Sequence, residues 1–70
     1  MMVGVQVKLN GEPRDLPEGS TVAQAVAALT AAATGVAAAV NGDVVPRGSW
    51  AATLLRAGDQ VEVVTAVQGG

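Results

Sequence analysis

Cysteine and histidine are both missing from this 70-residue sequence, and Trp50 is its single aromatic residue. Without thiol or imidazole the chain by itself can build no Cys/His zinc site, thiol nucleophile, Ser-His-Asp arrangement or histidine acid-base pair. Most enzyme classes are thereby excluded. No disulfide can staple the domain, so its one core must be closely patterned, because a chain this short only just offsets its conformational entropy. Basic charge is also scarce. Lys8, Arg14, Arg47 and Arg56 are scattered, the net charge is −2, and one aromatic offers little for base stacking, so no nucleic acid partner is expected. Uninterrupted apolar runs fall short of a membrane span, and Met1 to Leu9 alternates apolar and polar residues where a signal peptide needs a basic start and a continuous apolar block. These absences predict a soluble, cytoplasmic protein with no membrane partner. The lack of cysteine permits a reducing compartment without requiring one. The carboxylates Glu12, Asp15, Glu18, Asp43, Asp59 and Glu62 show no paired spacing for acid and base roles, and read as solvated or turn-forming groups. No metal site is expected.

What is present is a succession of short periodic segments. Val3, Val5, Val7 and Leu9 recur at a period of two, the pattern of a strand with one buried face. Asn10-Gly11 readily takes the positive φ angles of a type I′ turn, so Glu12 to Leu16 is expected to fold back as a second strand. Pro13 cannot donate to a ladder, which puts that strand at a sheet edge. After Pro17-Glu18-Gly19-Ser20, Thr21 and Gln24 form a capping-box signature that starts a helix at about Val22. Val22, Val26 and Leu29 make its buried stripe, alanines fill its other faces, and Thr34-Gly35 reads as its end.

Val36, Ala38 and Val40 return to period two. A second Asn-Gly pair, Asn41-Gly42, turns the chain into Val44-Val45, and Pro46 ends that strand. Gly48 to Leu55 has no clean period and is expected to be irregular with a short helical turn. Within it Trp50 reads as a packing anchor rather than a binding residue, since a domain with no other aromatic needs large apolar area somewhere. Ala57-Gly58-Asp59 is a turn signal, and Val61, Val63 and Thr65 alternate with Glu62, Val64 and Ala66 in a last strand. No internal repeat or linker is evident.

Two hairpins flanking one helix, followed by a further strand, describe an α+β fold of the β-grasp, ubiquitin-like kind: a mixed five-stranded sheet packed on one main helix. Strong valine patterning in the first and last strands suits parallel central neighbours. The expected division is a β-grasp body over residues 1–66 and a flexible C-terminal tail over 67–70, ending in Gly69-Gly70. Glycine pairs suit a thread entering a narrow cleft and equally a frayed end. Beyond Ala66, four residues reach at most about 13 Å. With Val61 and Val63 facing the helix, Val64 and Ala66 lie on the open face beside Ala37 and Ala39. That makes either a docking patch or simply small residues on a half-exposed sheet. Arg47, just after Pro46, is either an anchor for an acidic partner or a solvated cation.

The sequence resembles the ThiS family, the sulfur carrier proteins of thiamine (thiazole) biosynthesis, over nearly its whole length. The likeness is densest in Asn41-Gly42-Asp43-Val44-Val45-Pro46-Arg47-Gly48-Ser49-Trp50, in Ala57-Gly58-Asp59-Gln60-Val61 and in Gly69-Gly70, and the Val-Pro-Arg-x-x-Trp segment is its most specific part. Extra residues before the first strand and a helix poor in charge depart from the family pattern. The resemblance implies that Gly70 is adenylated by an E1-like enzyme, converted to a thiocarboxylate with sulfur from a persulfide-bearing protein, and consumed as sulfur donor by thiazole synthase. The chain would then be a protein co-substrate rather than an enzyme, with no bound cofactor, and ATP would be used by the activating partner. Gly69, Gln68, Val67, Ala66, Val64 and Arg47 are the candidate partner-binding residues. The small subunit of molybdopterin synthase shares the fold and ending but typically has prolines shortly before the glycines, where this chain has Thr65-Ala66-Val67-Gln68. A conjugating modifier, whose activated Gly70 is passed to a lysine of another protein, and a purely structural interaction module remain as alternatives.

Overall fold

The computed structural model describes residues 4–31 and 35–65, and the statements below concern these. The elements in order are β1 (Gly4–Leu9), β2 (Glu12–Pro17), α1 (Val22–Leu29), β3 (Val36–Val40), β4 (Asp43–Val45), a 3₁₀ segment (Arg47–Ala52) and β5 (Gln60–Thr65). The described strands form one sheet in the order β2-β1-β5-β3-β4. Only the β1–β5 pairing is parallel, with Lys8 opposite Gln60 and Leu9 opposite Val61. This is the mixed β-grasp sheet, and the last strand in the chain occupies its centre.

Both hairpins close as their dipeptides predict. Asn10 and Asn41 each have φ 52°, and Gly11 and Gly42 have φ 85° and 88°, the pair of positive angles that a type I′ turn needs and that asparagine and glycine tolerate. Two-residue loops fix the register, with Leu9 opposite Glu12 and Val40 opposite Asp43. Strand β2 lies at the edge with Pro13 opposite Lys8, where its missing N–H breaks no interior ladder.

Helix α1 opens with the full capping box: the Gln24 N–H donates to Thr21 Oγ1 at 3.4 Å, and the Thr21 N–H donates to Gln24 Oε1 at 2.8 Å. Its start is tied to the chain after the 3₁₀ segment, since the Val22 N–H donates to Thr53 O and the Leu55 N–H to Ser20 O. The helix ends earlier than the sequence suggests. Leu29 is its last residue and Thr30 is extended (φ −152°, ψ 146°), so the expected end at Thr34-Gly35 is corrected; Thr34 itself lies outside the described residues. Alanine favours helix, but a helix in a small protein is held by its packed face rather than by propensity alone, and Ala31 is exposed. The helix stripe is also corrected. Ala25 is fully buried beside Val22 and Val26 in the core, whereas Leu29 is only half-buried.

The core lies between α1 and one sheet face, built from Val7 and Leu9 of β1, Val61 and Val63 of β5, Ala38 of β3, and the helix residues. Trp50 and Leu55 close its end from the crossing segment. Trp50 is a packing anchor, as expected: it is 8% exposed, and its indole Nε1–H donates to Val45 O at 2.8 Å. Every buried side-chain nitrogen and oxygen among the described residues has a hydrogen-bond partner. No helix among them is long and apolar enough to cross a membrane.

Candidate functional site

The strand that leads to the terminal glycines is central and paired on both sides. On one side β5 pairs with β3 along its length, from Val61 opposite Val40 to Thr65 opposite Val36. On the other side β1 reaches only as far as Val61. Because β1 and β5 run the same way, β5 continues beyond the point where β1 turns at Asn10-Gly11. The sheet thus has an upper end from which Thr65 emerges, two strands from either edge.

Strand β4 runs in the same direction as β5, since both pair antiparallel with β3, and Val45 and Val63 are both opposite Ala38. The chain leaving β4 through Pro46-Arg47 therefore emerges at this same upper end, about 10 Å away by two strand spacings. Arg47 is exposed, and its guanidinium lies over the Trp50 ring, 5.6 Å from the centroid. Contact with an aromatic face limits the side chain's freedom without removing its charge.

Alternation puts Val61 and Val63 in the core and Gln60, Glu62 and Val64 on the open face. Val64 is 64% exposed and sits opposite Ala37, which is also exposed. Ala39 is half-buried, flanked by Glu62 on β5 and Val44 on β4. Val44 is 75% exposed, so the apolar strip runs from Val64 through the two alanines to the edge strand. The sequence reading of this patch lacked Val44. Its membership follows from the two-residue turn, which sets Ala39 opposite Val44, so the signal was present in the Asn41-Gly42 register. Ala66, Val67, Gln68, Gly69 and Gly70, together with the expected boundary between body and tail, lie outside the described residues.

A concavity lies toward the other end of the sheet. It encloses about 360 Å³ and is lined by Gln6, Val7, Lys8, Pro13, Gly58 and Gln60. Gln60 begins β5, and Thr65 is about 17 Å further along at the usual strand rise. This hollow is therefore remote from the end where the chain leads on to Gly70. Among the described residues no group of three or more acidic side chains could hold a metal ion.

Residues 7–70 match the ThiS family. The chain belongs to this family. Among its relatives, the sulfur carrier protein ThiS of Escherichia coli is 30% identical over 66 residues, which cover 94% of this chain and 100% of that protein. A thiazole synthase of Magnetococcus marinus is 38% identical over 66 residues, again 94% of this chain but 20% of the synthase, so the chain spans about a fifth of that protein's length. The crystal structure of the thiamine biosynthesis protein ThiS of Geobacter metallireducens superposes with a TM-score of 0.77 at 32% identity, covering 94% of this chain and 100% of that one. The ThiS match runs through residue 70 and so includes the glycine pair.

Proposed function

We infer that this ThiS-family chain is a sulfur carrier of thiamine biosynthesis, a cytoplasmic protein co-substrate worked on by enzymes rather than an enzyme itself. The observation that carries the reading is that the family match extends through Gly70 while the strand leading there, β5, is the central one of the sheet. Identity along the full length of the Escherichia coli carrier supports it. A thiazole synthase that holds a ThiS-like segment within its own chain supports thiazole synthase as the recipient, because covalent linkage raises the local concentration of two units that must meet.

The chemistry asks little of the carrier. A carboxylate is a poor electrophile, since its charge is delocalised, and sulfur cannot displace oxygen until the group is activated. An E1-like partner would supply ATP, whose α-phosphorus is attacked by a Gly70 carboxylate oxygen with loss of pyrophosphate. A persulfide on a sulfur-donating protein then attacks the acyl carbon and AMP leaves. Two-electron reduction of the resulting acyl disulfide by a thiol leaves the thiocarboxylate on Gly70. The body contributes a rigid mount and an apolar docking strip centred on Val64, with Arg47 at the same end of the sheet to meet an acidic partner. Ala66, Val67, Gln68 and Gly69 thread the terminus into the partner's cleft. Protein incubated with the activating enzyme, ATP and a persulfide source gains the mass of an oxygen-to-sulfur exchange, and deletion of Gly70 abolishes it. An unchanged mass with an activating enzyme of verified activity refutes the reading.

A further inference from the structure

The Asn10 side chain does more than form its turn. On the β1 side of β5 the backbone ladder runs from the Lys8 N–H, donating to Asp59 O at 3.0 Å, to the Asn10 N–H, donating to Val61 O at 2.9 Å. There β1 turns away, and the next β5 residue facing that side, Val63, has no backbone partner from β1. The Asn10 carboxamide takes the place of the missing strand residue. Its Oδ1 accepts from the Val63 N–H at 2.8 Å, and its Nδ2 donates to Val63 O at 3.2 Å. A primary amide carries the same acceptor and donor as a peptide group, so it can stand in as one more rung of a parallel ladder.

We propose that Asn10 is a positioning residue for the activation of Gly70, acting through this carboxamide rung to hold the upper half of β5 on the side where β1 has ended. The proposal rests on the sulfur-carrier reading. Without the rung, β1-side support stops at Val61 and, within the sheet, the last four described residues of β5 are paired with β3 alone. Any swing of the strand about that one-sided support displaces Thr65, the last described residue before the segment carrying Gly70. A misplacement of about 1 Å at a reacting centre costs up to roughly a hundredfold in rate. Docking of the body is a separate matter, because the Val64 strip lies on the open face and Asn10 is not part of it.

The test separates the rung from the turn. Asn10→Gly keeps a turn sequence that accepts φ 52°, since Gly-Gly also adopts type I′, but removes the amide. Asn10→Asp keeps an acceptor for the Val63 N–H and sets a second oxygen against Val63 O, leaving half a rung. Val26→Ala, in the helix core and taking no part in the Asn10–Val63 hydrogen bonds, controls for general loosening. Each variant is assayed below its melting temperature with the cognate E1-like enzyme, by ATP-pyrophosphate exchange dependent on Gly70, alongside amide hydrogen exchange at Val63. Expected is a kcat at least about tenfold lower for Asn10→Gly, an intermediate value for Asn10→Asp, and KM unchanged within about twofold. Val63 exchange should rise by about tenfold in Asn10→Gly beyond the change at Val7, in keeping with one lost hydrogen bond. Wild-type kcat in Asn10→Gly, or an equal loss in Val26→Ala, overturns the positioning role. Unchanged Val63 exchange overturns the rung itself. If the wild-type protein is inert with a verified enzyme, the carrier reading falls and the positioning role with it, while Val63 exchange still decides the mechanical claim.

Discussion

Replacing Trp50 with phenylalanine should lower the melting temperature by roughly 5–15 °C, and replacing it with alanine should leave the domain barely folded at room temperature. The difference comes from what each change removes. The indole is 8% exposed and closes the end of the core, so truncation to alanine deletes nearly all of a large buried side chain, at about 3–5 kcal/mol. A domain of 70 residues has only about 3.5–10 kcal/mol in total, with small domains toward the low end, so the loss consumes most of it. Phenylalanine keeps most of the apolar area but lacks the Nε1–H that donates to Val45 O at 2.8 Å. Losing that bond and leaving the carbonyl short of a partner costs about 1–2 kcal/mol. Pairing Trp50→Leu, which removes the aromatic face, with Arg47→Ala in a double-mutant cycle should give a coupling of about 0.5 kcal/mol for the guanidinium over the ring. Calorimetry is the suitable assay, because Trp50 is the sole tryptophan and its fluorescence disappears in the variants. A Trp50→Phe protein melting within about 1 °C of wild type would refute the idea that the indole bond to β4 is a stabilising contact.

Gly4→Ala should destabilise the protein by about 1–2 kcal/mol, read as a lower urea midpoint, since a Cβ at that position meets the Leu16 carbonyl oxygen at 2.8 Å and strand β2 has to give way. An unchanged midpoint would mean that the β1–β2 pairing yields without cost. Val64→Asp, at a 64% exposed position, should fold with stability within about 0.5 kcal/mol of wild type yet be adenylated at least about tenfold more slowly, as measured by pyrophosphate exchange. A normal rate in a folded Val64→Asp protein rejects the apolar strip as the docking surface.

The legibility of this protein in its sequence divides by range. The two Asn-Gly turns, the Thr21–Gln24 capping box and the period-two valines are encoded by residues within a few positions of one another, through backbone angles and short hydrogen bonds. They therefore survive intact from chain to fold. Even the central position of β5 follows, because parallel neighbours with buried valine faces leave few arrangements. The stop of the helix at Leu29 was not legible, since alanine after alanine favours helix locally. Ala25 reads as filler until the sheet lies close enough for a methyl group to fill the gap.

By itself, then, the sequence determined which elements form, where the chain reverses, what chemistry the side chains cannot perform, and that two glycines follow the last strand. Tertiary structure alone decided which separate pieces meet. It brought Val44 into line with Ala39, raised Arg47 to the same end of the sheet as Thr65, and set the Asn10 amide on Val63, 53 residues away. A local pattern can specify a turn because both partners lie within its own few residues. A carboxamide that substitutes for a strand acquires that role only when the sheet is assembled and one strand, staggered against its neighbour, runs on past that neighbour's end.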